Sequence, residues 1–287
     1  MSYMDKKSSL KIYGVLGWPA KHSLSPDIHN AAFRALKINA QYKIFEIEPQ
    51  DLEDFIHSLS KQNIFGLNIT IPYKEKVIPF LDNIAPCAKL IGAVNTIKVY
   101  PNKLEGLNTD GEGFLKHLNK DLGFNPKDKI IAILGAGGAS KAISAYLSKE
   151  KPRKIAIYDI DKNKTSTLVN RLKQNFNNIE FNLANSVEEL NIKDAALLIN
   201  ATPIGMKETD PSIVDENFLH RGLLVCDLIY NPKETRLLKQ ARQKGLRVSN
   251  GLGMLLYQGA LSFEHFTGRV APIEVMRQAL NKGVGKL

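Results

Sequence analysis

The chain has 287 residues, 44% of them hydrophobic, which suffices to bury a core and, at roughly 100 to 200 residues per domain, suggests two domains. Its 39 basic and 29 acidic residues leave a net charge of +10, yet the densest basic group (Lys149, Lys151, Arg153, Lys154) has no interleaved aromatic residues for base stacking, so nucleic acid is not an expected partner. Cys87 and Cys226 are far apart, which argues against a disulfide framework, and with no apolar run near the ~18 residues of a membrane helix and none shaped like a signal peptide, a cytoplasmic protein with no membrane partner is expected.

The predicted elements begin with KIYGVLG (residues 11–17) as a strand, followed by a helix that opens near Pro26 with Ser25 as its N-cap. QYKIFEI then reads as a strand, DLEDFIHSLSK as a helix, FGLNIT (residues 65–70) as a strand closed by Pro72, and AVNTIKV (residues 93–99) as a strand before a turn at Pro101 and Asn102. Alternation of this kind predicts a parallel α/β layer. A second series, KIIAILG (129–135), KIAIYDI (154–160), ALLINAT (196–202) and LLVCDLIY (223–230), has the apolar, β-rich character of strands covered on both faces. Residues 250–284 carry two helical patterns and no strand. The expected fold is therefore α/β: an N-terminal domain with a mainly parallel sheet (1–108, completed by helices in 249–287) and a Rossmann-like doubly wound domain (109–248).

Gly135-Ala136-Gly137-Gly138-Ala139-Ser140 follows one predicted strand and opens the helix KAISAYLSKE, the context that a dinucleotide fingerprint requires. Gly135 allows the tight turn, Gly137 lets a pyrophosphate approach the backbone, and Ser140 is small enough for close helix packing. Asp159 closes the next strand, where a carboxylate would accept hydrogen bonds from the adenosine ribose and repel a 2′-phosphate; the competing reading has it capping the helix that begins near Asp161, and Asp161 fits either role. NAD is thus the expected cofactor, with NADP the alternative and no metal.

Four segments outside this loop are unusually polar: HSLSP (22–26), NITIPYK (68–74), GAVNT (92–96) and NTDG (108–111). Together with GVLGWPAKHSLSP, GLNITIPYKEKV, IGAVNTI, GLNTDGEGF, ILGAGGASKA, INATPIGM, DLIYNP and NGLGMLLYQGA, which run through nearly the whole chain in order, they resemble the shikimate dehydrogenase family, including the quinate/shikimate dehydrogenases. The resemblance implies reversible, nicotinamide-dependent oxidation of shikimate to 3-dehydroshikimate in the route to chorismate and the aromatic amino acids. It assigns proton transfer to Lys74 and Asp110, the substrate carboxylate to Ser23, Ser25 and Tyr230, and the ring hydroxyls to Thr70, Asn95, Asp110 and Gln258. Asn200, Thr202, Leu228 and Gly251 match positions at the nicotinamide end. Family members that use NADP commonly carry Asn-Arg-Thr where this chain has Asp159-Ile160-Asp161, which strengthens the expectation of NAD.

Two other readings remain: an NAD-dependent quinate/shikimate dehydrogenase, and a non-catalytic module that senses such acids. The presence of both Lys74 and Asp110 argues against the second, because binding alone needs no proton-transfer pair. Monomer and homodimer are both compatible with the sequence. Neither a G-x-S-x-G elbow, nor an H-E-x-x-H pair, nor a Walker A pattern occurs, and only His22 lies beside the carboxylate-binding residues.

Overall fold

A computed structural model describes residues 10–285, which divide into two units. The first holds the described residues up to Ala88, Val94–Asn108 and those from Gly259 onward; the second holds Lys89–Ala93 and Thr109–Gln258.

The first unit contains β1 (Lys11–Gly17), α1 (Ser25–Ala35), β2 (Ala40–Glu46), α2 (Leu52–Ser58), β3 (Ile64–Ile69), β4 (Asn83–Ile84), α3 (Pro86–Ile91, whose last residues belong to the second unit), β5 (Thr96–Tyr100) and β6 (Lys103–Leu107). Its sheet runs β2-β1-β3-β5-β6-β4. β1 lies parallel to both β2 and β3, and β4 parallel to β6, but β5 is antiparallel to β3 and β6. Simple alternation therefore fails here: the Pro101-Asn102 turn returns the chain directly into β6 as a hairpin, a strand whose KLEGL sequence has too little apolar character to signal itself. On one face, Leu16, Leu67, Ile69, Val94 and Ile97 pack with Phe55 and Ile56 of α2. On the other, Tyr13, Phe33, Phe263 and Phe266 form an aromatic group around His29, whose ring stacks on Tyr42 at 4.2 Å between centroids. Burial lowers the His29 pKa to about 3, so this imidazole stays neutral.

The second unit adds α4 (Asp110–Lys120), β7 (Ile130–Leu134), α5 (Gly138–Lys149), β8 (Lys154–Tyr158), α6 (Lys162–Asn175), β9 (Glu180–Leu183), β10 (Leu197–Asn200), β11 (Leu224–Asp227), α7 (Arg236–Gln243), β12 (Arg247–Ser249) and the start of α8 (Leu252–Thr267), which continues into the first unit ahead of α9 (Ile273–Val284). All six strands are parallel in the order β12-β11-β10-β7-β8-β9, the doubly wound arrangement with its switch between β7 and β10. Ile131, Ile133, Ile155, Ile157, Leu197 and Ile199 fill one face, and Ala132, Leu134, Leu198 and Val225 the other, so the central strands are apolar on both sides.

The chain leaves the second unit at Gln258 rather than at residue 248, because the intervening segment is tied to α4. His117 on α4 is 2.8 Å from both Asp121 Oδ2 and Ser249 Oγ, and the Tyr257 hydroxyl donates to Asp121 Oδ1 at 2.9 Å. Among the described residues no helix is long and apolar enough to cross a membrane. Cys226 is buried, which pushes its thiol up to about 12, whereas Cys87 is partly exposed rather than a core residue.

Candidate active site

In the first unit the sequence-predicted substrate residues gather where β1 and β3 end side by side. The Thr70 N–H donates to the Leu16 carbonyl at 2.9 Å, and the Trp18 N–H to the Ile71 carbonyl at 3.1 Å. The chain then turns through Lys74, whose carbonyl accepts the Val94 N–H at 2.7 Å, while the Asn95 carbonyl accepts the Ile69 N–H at the same distance. Thr70, Lys74 and Asn95 are thereby fixed on neighbouring backbone at the carboxyl end of β3, the usual ligand end of an α/β sheet. Ser25 is not the N-cap of α1; Leu24 holds that position without a side-chain bond, and Ser25 is the first helical residue, its N–H donating to Ser23 Oγ at 3.3 Å. His22 is exposed.

A buried polar line that the sequence reading did not include connects these residues. Tyr42, 2% exposed, lies near enough to Ser25 for that hydroxyl to favour its ionised form against burial, and donates its own hydroxyl to Asn68 Oδ1 at 2.7 Å. The Asn68 amide then donates to the Asn95 carbonyl (3.2 Å), Thr96 Oγ1 (3.1 Å) and Ser262 Oγ (2.8 Å), and Thr96 Oγ1 donates to Asn95 Oδ1 at 2.9 Å. Tyr42 and Asn95 are therefore linked through Asn68, and burial holds the Tyr42 hydroxyl protonated by raising its pKa well above the usual range. Asn68 lies inside a polar motif, but Tyr42 sits in an alternating strand and carried no signal beyond packing.

In the second unit the glycine loop follows β7 and runs into α5, with Gly135 at φ +100° and the position of a Cβ there only 2.9 Å from the Ala201 carbonyl oxygen. A Cβ on Gly137 would meet no heavy atom within 4 Å, so the space beside the backbone there is open. Ser140 is fully buried in α5. Such a cradle, open at Gly137 and facing a helix N-terminus, fits a pyrophosphate. The two acids divide their roles. Asp159 accepts the Ala136 N–H at 2.7 Å and the Asp161 N–H at 2.9 Å, bracing the loop, while Asp161 caps α6 by accepting the N–H groups of Asn163 (3.1 Å) and Lys164 (3.2 Å). Those backbone bonds, the Lys164 one foremost, hold the Asp161 carboxyl below its ordinary range.

Thr202 is partly exposed beyond β10, but Asn200 is fully buried and its amide is engaged within the protein, so it acts as the support of Thr202. Leu228 and Gly251 touch so closely that a Cβ on Gly251 would lie 2.0 Å from the Leu228 carbonyl oxygen, and the Gly251 N–H donates to the Ile229 carbonyl at 3.1 Å, one residue before Tyr230. Asp110 opens α4 behind an N-cap at Thr109 and is 3% exposed. One turn on, Gly113 abuts Gln258: a Cβ there would lie 2.6 Å from the Gln258 nitrogen and 2.8 Å from its Cα. Gly113→Ala is expected to push these helices apart, an overpacking worth about 1 to 3 kcal/mol, and so to lower the Tm and raise the KM for the substrate. Thermal unfolding and steady-state kinetics would read both, and an alanine variant unchanged in Tm and KM would remove this packing argument. Among the described residues no cluster of three or more His, Cys, Asp or Glu side chains suited to a metal occurs.

Known proteins resemble this chain along nearly its full length. Residues 15–97 match the shikimate dehydrogenase substrate binding domain, and residues 251–280 the shikimate 5′-dehydrogenase C-terminal domain. The shikimate dehydrogenase (NADP+) of Methanopyrus kandleri is 43% identical over 273 residues, covering 94% of each chain. The crystal structure of shikimate dehydrogenase from Aquifex aeolicus superposes with a TM-score of 0.88 at 38% identity, covering 95% of this chain and 98% of that one. That of the Listeria monocytogenes shikimate 5-dehydrogenase in complex with shikimate and NAD does so with a TM-score of 0.86 at 32% identity, covering 95% and 97%. With this likeness along nearly its full length, and with a glycine-loop Rossmann sheet of its own, the chain belongs to the shikimate dehydrogenase family of NAD(P)-dependent oxidoreductases acting on a CH–OH group.

Proposed function

We propose that this enzyme interconverts shikimate and 3-dehydroshikimate and favours NAD over NADP. The observation that carries the substrate reading is the buried line from Tyr42, near Ser25, through Asn68 and Thr96 to Asn95, which joins the neighbourhood of residues suited to a carboxylate with residues suited to vicinal hydroxyls. Ser23, Ser25 and Tyr230 hold the carboxylate; Thr70, Asn95, Asp110 and Gln258 read the ring hydroxyls. Gly135–Ser140 would hold the dinucleotide's pyrophosphate, Asp159 its ribose, and Thr202, Leu228 and Gly251 its nicotinamide end.

A bound nicotinamide would supply the hydride acceptor for the carbinol carbon. Lys74 and Asp110 take the hydroxyl proton as that carbon becomes a ketone, and return it in the reverse direction.

The preference for NAD rests on Asp159 and Asp161. A 2′-phosphate would meet two carboxylates, and the α6 N–H groups that might otherwise greet it are occupied by Asp161. The M. kandleri relative is named for NADP+, so the two enzymes are expected to differ at this stretch. The same stretch favours a second reading, a broad quinate/shikimate dehydrogenase. Steady-state kinetics with shikimate and quinate, each with NAD and NADP, tests all of this. Highest kcat/KM for shikimate with NAD is expected; a higher value with NADP would refute the cofactor assignment, and a higher value for quinate would favour the second reading.

A further inference from the structure

Asp227 ends β11 and is only 1% exposed. Its carboxylate accepts the Asn200 amide at 3.1 Å to each oxygen, the Ile229 N–H at 3.0 Å and the Thr235 hydroxyl at 2.7 Å. Desolvation raises its pKa, while these hydrogen bonds favour the charged form and oppose the shift.

The consequence lies in the neighbouring amide. Asn200 donates to Asp227 and to the Ile204 carbonyl at 3.1 Å, while its oxygen accepts the N–H (3.0 Å) and hydroxyl (2.7 Å) of Thr202. A side-chain amide can in principle turn over, but here the turned form would set its oxygen against a carboxylate. The charge on Asp227 thus fixes the direction of every hydrogen bond from Asn200 to Thr202 and on to the Ile204 N–H, which donates to Thr202 Oγ1 at 3.2 Å. On its other side, the bond to Ile229 sets the turn between Leu228 and Tyr230.

We propose that Asp227 is a positioning residue of the dehydrogenase reaction: without touching a ligand, it holds Thr202 and the Leu228–Tyr230 turn in the arrangement that receives the nicotinamide end of the dinucleotide. This rests on the cofactor assignment above. It predicts that Asp227→Asn, which conserves volume but places an NH2 group against the Asn200 amide or the Thr235 hydroxyl, raises the KM and Kd for NAD by about 10- to 100-fold. The kcat at saturation should change much less.

Two further variants separate positioning from general weakening of the fold. Asn200→Asp puts two carboxylates face to face, so that they share a proton and NAD affinity becomes steeply pH-dependent, weakening as pH rises. The double variant Asn200→Asp/Asp227→Asn restores one carboxylate and one amide and should recover part of the affinity. NAD binding is read by calorimetry on the full-length protein beside the kinetics. Unchanged NAD affinity in folded Asp227→Asn would overturn the proposal, as would losses that follow the fall in Tm with no pH dependence and no recovery in the double variant. If the wild-type protein binds NAD but does not oxidise shikimate, the substrate reading fails while the calorimetric test of Asp227 stands; if it binds no dinucleotide, both fail.

Discussion

Lys74→Ala is expected to lower kcat for shikimate oxidation by roughly 100- to 10,000-fold, the range over which a positioned acid or base contributes, while leaving NAD affinity near the wild-type value. Hydride departure turns the carbinol into a ketone only if the hydroxyl proton has an acceptor. Truncation at Lys74 would remove the proposed acceptor while keeping the main-chain bonds of this turn, the Val94 N–H to the Lys74 carbonyl at 2.7 Å and the Tyr73 N–H to the Thr70 carbonyl at 2.9 Å. The glycine loop and Asp159, the proposed dinucleotide residues, belong to the other unit and are not altered by the substitution. Asp110→Asn should also depress kcat strongly, since it removes the carboxylate of the proposed proton-transfer pair. Single-turnover rates and calorimetric NAD binding would separate chemistry from binding. Near-normal turnover of Lys74→Ala would sink the mechanism and leave the fold and family unaffected.

The triple variant Asp159→Asn/Ile160→Arg/Asp161→Thr is expected to invert cofactor preference, raising kcat/KM for NADP relative to NAD by at least about 100-fold. It removes two carboxylates and adds a guanidinium able to hold a phosphate through two bonds, and hydrogen bonds to charged groups contribute about 1.5 to 3 kcal/mol each, against 1.4 kcal/mol per factor of ten. The scaffold should tolerate it. Ile160 is 91% exposed, so arginine displaces no core packing. Asparagine at 159 retains an oxygen for the Ala136 N–H, and threonine at 161 can still cap α6, whereas alanine at either place would lose the brace or the cap. Kinetics with both dinucleotides decide the matter; a ratio that does not move would show that neither carboxylate selects the cofactor.

Much of the architecture was legible because it depends on local pattern. Runs such as IIAIL and KIAIY are apolar on successive residues since both faces of their sheet are covered, and a glycine loop between such a strand and a helix announces a turn at positive φ. Less legible were β4, β9 and β12, whose two to four residues are strands only because a neighbour supplies the hydrogen bonds, and β6, which exists because β5 turns back on it.

The same division holds at the site. The sequence by itself determined the candidates and, through the resemblance its motif order carries, the roles proposed for them, Lys74 and Asp110 for a proton, Ser23 and Ser25 for a carboxylate, Asp159 or Asp161 for the ribose end, because residue type and motif order are properties of the chain. Which of those groups act directly and which hold others was decided by tertiary structure. Asp159 reaches back 23 residues to the glycine loop, Tyr42 reaches 26 residues to Asn68, and Asp227 fixes an amide 27 residues away. The physical reason is that a buried polar group must find its partner wherever the fold supplies one, and no local periodicity records that pairing.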